Sequence, residues 1–288
     1  RRRLVFMGTS EFDGGGGGDA DDAAPSRDDR DLGGDTARRD GAAPRDGAEP
    51  PDAMAARRNA MVQRQLVDRG LVDQRVLKAM GEVPRERFVP RNLRRRSYDD
   101  GPLPIAEGQT ISQPFIVAAM TESAQVAPSD RALEIGTGSG YGAAVLSRVA
   151  AGVVSVERHG LLAKSAADLL ASLEYDNVTV VTDDGSLGYA DGAPYDAIIV
   201  TAAGPSVPDA LLEQLADGGR LVMPVEREPG DQRLVQVTRH GDELVEADLG
   251  AVRFVPLIGD QGWPDQGGQR WAAPGCAGTR SSGAEADE

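Results

Sequence analysis

The sequence is poor in the residues on which much enzyme chemistry depends. Its 288 residues include one cysteine, Cys276, and two histidines, His159 and His240. One cysteine excludes a disulfide within the chain, and two histidines cannot build a Cys/His cluster, so no metal site is expected. A Ser-His-Asp hydrolase would need one of those histidines in its site, and neither stands in a hydrolase-like context. Long apolar runs are also missing. Leu4-Val-Phe-Met7 is too short for a signal-peptide core or a membrane span, so a cytoplasmic protein with no membrane partner is expected. Positive charge is in deficit, with 31 Lys and Arg against 46 Asp and Glu, a net charge of −15. Nucleic acid is therefore not an expected partner, because phosphate binding needs a basic patch. Lysine is confined to Lys78 and Lys164. Scarce lysine beside abundant aspartate fits adaptation to high salt and fits a GC-rich genome, and composition does not separate the two.

What is present begins after an acidic, glycine-rich stretch. Residues 1–52 carry Gly14 to Gly18, Asp19-Ala-Asp-Asp22 and few large apolar side chains. Such a segment buries too little apolar surface to offset its chain entropy and is expected to be a disordered tail. Residues 53–263 form the expected domain, and 264–288, rich in Gly, Ser and Pro, a flexible tail. Within the domain, helical patterns run over 55–69, from a cap at Asp73 through Met80, and over 115–124. A short turn is expected over 84–90 and a loop over 97–114. Beyond that, strands are predicted near 131–136, 152–157, 177–182, 195–201, 219–225, 232–239 and 249–256, with helices over 140–150, 160–174 and 207–216. The pair Gly218-Gly219 is read as the stop of the last helix. Strand and helix alternation predicts an α/β fold with a doubly wound, mostly parallel seven-stranded sheet. Only Arg239-His-Gly-Asp242 separates the last two strands, which predicts a hairpin and an antiparallel strand at the sheet edge.

The most informative stretch is Ala132-Leu-Glu-Ile-Gly-Thr-Gly-Ser-Gly140, followed by Val153-Val-Ser-Val-Glu157. An apolar run ends in glycines, and a second ends in an acid 21 residues after Gly136. The glycines give a tight turn and close backbone approach to a ligand, and the acid at a strand tip suits ribose hydroxyls. Gly136, Thr137, Gly138, Ser139, Gly140 and Glu157 are thus candidate contacts for an adenosine cofactor. From Gly136 the pattern is G-x-G-x-G, with Tyr141 where a dinucleotide fingerprint wants glycine. From Gly138 the looser G-x-G-x-x-A form is met, two residues past the strand end. Glu134 inside the first strand favours S-adenosylmethionine (SAM), because a cation welcomes a carboxylate nearby and a pyrophosphate does not. A dinucleotide and a purely structural glycine turn remain alternatives from these residues alone.

From 54 to 263 the chain resembles the protein-L-isoaspartate O-methyltransferase family. The resemblance rests on Val83-Pro-Arg-Glu-Arg-Phe-Val-Pro90, Leu103-Pro-Ile-Ala-Glu-Gly-Gln-Thr-Ile-Ser-Gln-Pro114, the glycine motif, Ser155-Val-Glu157, Tyr195 to Ala202 and Val252 to Leu257. The glycine motif marks any SAM-dependent methyltransferase, whereas Gly108 to Pro114 is specific to the family. The resemblance implies SAM as cofactor and methylation of the α-carboxylate of isoaspartyl residues in damaged proteins and peptides. It also implies a Rossmann-like fold with extra N-terminal helices, and a monomer is expected. It makes Ser112 the catalytic residue; a plain helix cap before Pro114 is the competing role. Thr110, Ile111 and Gln113 on the same loop would line the cofactor or the peptide. Asp184-Gly185 matches the family's contact on the adenine side, although Asp183 replaces the usual preceding glycine. Thr201 would end its strand beside the transfer site, and Val252 to Leu257 would form a strand near the substrate. Gln261 is a further candidate cofactor contact. A methyltransferase for RNA or a small molecule, and a non-catalytic SAM-binding adaptor, are the alternatives.

Overall fold

The computed structural model describes residues 51–265. The expected tails over 1–52 and 264–288 lie outside the described residues except at their inner ends. The N-terminal layer comprises α1 (Pro51–Met61) and α2 (Gln74–Glu82), then β1 (Leu103–Pro104), β2 (Thr110–Ile111) and α3 (Pro114–Ser123). The helix expected over 55–69 is not uniform. After α1 the chain passes through a π-helical turn, Val62–Leu66, and a 3₁₀ turn, Val67–Arg69, and stops at Gly70 with φ +94°. Asp73 does cap α2, its carboxylate accepting from the N–H groups of Arg75 and Val76. The segment read as a loop over 97–114 contains a small antiparallel sheet, with Leu103 opposite Ile111 and Pro104 opposite Thr110. Two-residue strands carry too little periodicity to be seen in sequence.

The remaining elements are β3 (Arg131–Ile135), α4 (Tyr141–Ser147), β4 (Gly152–Glu157), α5 (Gly160–Ser172), β5 (Val178–Thr182), β6 (Tyr195–Val200), α6 (Asp209–Glu213), β7 (Leu215–Glu228), β8 (Asp231–His240) and β9 (Glu243–Val252). Seven strands form one sheet in the order β5-β4-β3-β6-β7-β8-β9. Strands β5 to β7 are mutually parallel, and β8 runs antiparallel to both β7 and β9. The single reversed strand is therefore β8, one place in from the edge, and β9 closes the sheet.

Alternation along the strands divides the core. Leu133, Ile135, Ile198 and Val200 pack on one face with Leu221 and Met223. Ala132, Ala197, Ile199 and Val222 pack on the other, against the helices that carry Phe115, Ala118 and Tyr141. Each large aliphatic side chain buried this way contributes roughly 1.5–3 kcal/mol, which fixes the strand ends firmly. Two expectations near the sheet's far side are corrected. The helix over 207–216 shortens to α6, because β7 already begins at Leu215, opposite Tyr195. Gly218-Gly219 therefore lies inside β7, where Gly218 has φ +74° and the β6–β7 register shifts between Tyr195 and Ala197. The pair makes a strand irregularity rather than a helix stop. The last strand is displaced too. β9 ends at Val252, and the chain then leaves the sheet to bridge Ala203 through Pro256.

Candidate active site

Strand β3 stands between β4 and β6, and successive strands are laid down first on one side and then on the other. That is the reversal point where an open α/β sheet leaves a crevice at its carboxyl end. The glycine turn occupies it. Gly136, Gly138 and Gly140 have φ of +96°, +53° and +88°, a region that favours glycine. The N–H of Gly136 donates to the Val156 carbonyl at 2.8 Å, tying the turn to β4. The Thr201 hydroxyl reaches the carbonyls of Ile135 and Gly136, both at 3.0 Å. A Cβ on Gly136 would lie 2.3 Å from that hydroxyl. Gly136→Ala is therefore expected to destabilise the fold by about 2–3 kcal/mol, from left-handed strain and loss of the Thr201 clamp. Its thermal midpoint should fall by at least about 5 °C. An unchanged midpoint with normal SAM affinity would contradict the clamp.

Two acids flank the turn. Glu157, at the end of β4, is 5% exposed, and its carboxylate accepts the N–H of Gly138 at 2.9 Å and of His159 at 3.0 Å. Both oxygens are thereby oriented, and a carboxylate retains further lone pairs for two hydroxyl donors. Glu134 is 2% exposed. Ser155 Oγ donates to its Oε2 at 2.6 Å, and Thr137 Oγ1 lies 2.6 Å from Ser155 Oγ. Burial, only partly opposed by the Ser155 hydrogen bond, pushes the Glu134 carboxyl up to about 8, with the Glu157 charge adding to the rise. Its Oε1 faces Gly142 so closely that a Cβ there would sit 2.1 Å away. Thr137 thus turns inward to a buried polar chain. Ser155 joins the site unforeseen; a serine within the buried run Val153-Val-Ser-Val156 was the available signal, since a buried hydroxyl needs a partner.

The upstream loop closes over this floor. Ile105, just after β1, approaches Gly138, its Cδ1 3.5 Å from where a Cβ would be. Ser112 shares one cleft with Glu134, Gly142 and Thr201, walled by Ile116, Met120 and Ile199. The N-cap of α3 is Gln113, and no side chain caps that helix. The capping role weighed for Ser112 is thus not the one it plays. Gln113 points elsewhere, donating to Asp100 Oδ1 at 2.7 Å. Thr110 and Ile111 lie in β2, with Ile111 buried, and neither lines this cleft. Ser139 lies in the turn.

Asp184 is brought near the site by the end of β5 but is engaged structurally. Its Oδ1 accepts from the N–H of Ser186 at 2.9 Å and the Ser186 hydroxyl at 2.7 Å, and Oδ2 accepts from Asp260 N–H at 2.7 Å. It therefore pins the segment around Gly259, whose Cβ would meet Asp184 Oδ1 at 2.0 Å. Gly185 packs on Ile135, leaving no room for a side chain. Gln261 accepts from Ala210 N–H at 3.0 Å and donates its own N–H to Ser186 Oγ at 2.9 Å. Beside Thr201, Ala203 exchanges backbone bonds with Val255 and Leu257, at 2.7 and 2.8 Å. The segment expected as a substrate-side strand thus does run next to the end of β6, as an isolated bridge.

Comparison with known proteins gives a consistent result. Residues 56–262 match the model of the family described as protein-L-isoaspartate(D-aspartate) O-methyltransferase. A protein-L-isoaspartate O-methyltransferase of Protochlamydia amoebophila is 54% identical over 204 residues, 70% of this chain and 97% of that protein. A protein-L-isoaspartate O-methyltransferase 1 of Rhodopseudomonas palustris is 55% identical over 212 residues, 73% of this chain and 86% of that protein. Among solved structures, a protein-L-isoaspartate O-methyltransferase aligns with TM-score 0.65 and 32% identity, over 71% of this chain and 67% of the other. A Plasmodium falciparum chain of the same methyltransferase class, in complex with S-adenosyl-L-homocysteine, aligns with TM-score 0.61 and 25% identity, over 70% of this chain and 98% of its own.

Proposed function

The chain belongs to the protein-L-isoaspartate(D-aspartate) O-methyltransferase family, and from that premise we propose that it methylates the α-carboxylate of isoaspartyl residues in damaged proteins, with Ser112 at the point of transfer. SAM is the cofactor, and it supplies an electrophilic methyl group when bound. The residues present fit it. The positive-φ turn at Gly136 to Gly140 allows close backbone approach, Glu157 presents an oriented carboxylate at a strand tip, and Glu134 supplies a buried carboxyl in the floor that a bound cation would draw towards ionisation. Thr137 and Ser139 belong to that turn, Thr201 braces it, and Thr110 and Ile111 hold the hairpin above it. Asp184 and Gly185 border the adenine side.

The observation that carries the assignment is the Ser112 hydroxyl. Ser112 lines the same cleft as Glu134 and Thr201, and its hydroxyl caps no helix and has no protein hydrogen-bond partner among the described residues. The acceptor carboxyl has an ordinary pKa near ~4, is ionised at neutral pH and needs no strong general base. This suits a chain with two histidines. What remains is positioning: holding the acceptor oxygen in line and away from water, an effect that reaches roughly 7–11 kcal/mol in ideal intramolecular systems. Ser112 donates a hydrogen bond to the acceptor carboxylate and carries no charge to repel it. No helix among the described residues is long and apolar enough to cross a membrane. A cytoplasmic monomer acting on isoaspartyl proteins and peptides, without nucleic acid or membrane, completes the proposal.

Labelled SAM and paired peptides that differ only in Asp against isoAsp test it. Label should pass to the isoaspartyl peptide alone. Equal labelling of both, or none, would overturn the assignment, and methylation of RNA in the same assay would redirect it.

A further inference from the structure

We propose that Arg85 is a positioning residue of the transfer site, its buried guanidinium holding the acceptor loop and the cofactor turn in one registration. Arg85 lies in a single 3₁₀ turn, Arg85–Arg87, and is fully buried, at 0% exposure. Its Nε donates to the Ser97 carbonyl at 2.7 Å, and its Nη2 donates to the carbonyl of Ser112 itself at 2.8 Å. The guanidinium carbon lies 4.8 Å from the centroid of the Tyr141 ring. Tyr141 opens α4, directly after Gly140, so one side chain touches both halves of the site.

The energetics make this placement unusual. No acidic side chain pairs with Arg85 among the described residues; the neighbouring Glu86 is engaged by the Tyr98 hydroxyl. Burial pulls the Arg85 pKa below the ordinary arginine value, yet arginine stays protonated in proteins. The cation is thus held by two carbonyl dipoles and by Tyr141, whose ring and hydroxyl both favour it, with Tyr98 adding a weaker attraction and Nη1 left without a hydrogen-bond partner. A desolvated, unpaired charge is costly, and apolar residues of similar volume often fill such a place at no loss of stability. What an apolar residue cannot do is bridge carbonyls at 97 and 112 while stacking on an aromatic ring. The planar fork of arginine does this, and the ammonium of lysine does not. Through the Ser112 carbonyl, the fork sets where the Ser112 side chain stands above the cleft.

The proposal rests on the assignment of Ser112, and a double-mutant cycle separates the two. Arg85→Lys should lower kcat on an isoaspartyl peptide by about tenfold to 100-fold, with the SAM dissociation constant changed by less than about threefold. Because the effect passes through Ser112, Arg85→Lys combined with Ser112→Ala should be no more than about threefold slower than the slower single variant. Arg85→Gln removes the buried charge, and with it the desolvation cost, and should show the same pattern if the lysine variant does not fold. Losses that multiply in the double variant, or SAM affinity that falls in step with kcat, would overturn the role of Arg85. An unchanged kcat in Ser112→Ala would instead sink the Ser112 assignment, and with it any action of Arg85 through that residue.

Discussion

Ser112→Ala is expected to lower turnover on isoaspartyl peptides by about 100-fold, while SAM affinity changes by less than about threefold. The size follows from comparison with other preorganised donors to reacting oxygens, whose loss costs roughly 10²–10³ in kcat. The selectivity follows from the surroundings. The glycine turn, Glu157 and the Thr137–Ser155–Glu134 chain are all anchored without the Ser112 side chain, through bonds to β3, β4 and the start of α5. Ser112 neither caps α3 nor bonds to those groups. Its removal should therefore leave the cofactor floor intact and disturb only what meets the cofactor from above. Calorimetric SAM binding beside steady-state kinetics checks this. A parallel collapse of SAM binding would give Ser112 a cofactor-holding role in place of the assigned one.

Glu134→Gln should remove a pH dependence of stability that the native protein carries. In the unfolded chain the Glu134 carboxyl has an ordinary value of 4.5, whereas burial in the folded protein raises it to about 8. The folded state therefore keeps a proton that the unfolded state has released. The contribution of Glu134 to stability is fully present below the unfolded value and is lost as pH rises through about 8. The loss across that window is on the order of 5 kcal/mol. Glutamine can still accept from Ser155 and has no charge to desolvate. The midpoint of Glu134→Gln should thus rise above that of the native protein progressively from pH 5 to pH 8.5, the two converging at the acid end. Denaturant melts at a series of pH values test this; parallel curves would mean that Glu134 does not hold its proton in the folded state. Above about pH 8, where the Glu134 carboxyl is ionised, the same substitution should weaken SAM by about tenfold and S-adenosylhomocysteine much less, since only the former carries a positive sulfur for a carboxylate to favour.

Much of this protein follows from its sequence because the determining physics is local. Apolar alternation over five or six residues marks a strand whether or not its neighbours are known, and six of the seven strands of the main sheet lie where short apolar runs predict them, β7 with extended ends, whereas β9, at Glu243–Val252, shares only four residues with the predicted 249–256. The glycine turn declares itself because positive φ is a property of single residues, and a strand-end acid at Glu157 needs only the strand before it. Gly218-Gly219 shows where local reading stops. The same pair ends a helix or kinks a strand, and the pairing of Leu215 with Tyr195 chooses the strand.

The working geometry of the site belongs to tertiary structure. Thr201 braces Gly136 from 65 residues away, Ser155 reaches Glu134 across 21, and Arg85 reaches Ser112 across 27. Asp184, which the family resemblance makes a candidate cofactor contact, holds the backbone of Asp260, 76 residues on. Sequence by itself determined most of the sheet and the glycine turn at its carboxyl end. Only the folded arrangement decided that Ser112 is free of the helix cap, that Glu134 is buried enough to keep its proton, and that an unpaired arginine ties loop to turn. Those outcomes depend on which groups exclude water from one another, and that is settled when distant segments pack, not by the order of residues along any one of them.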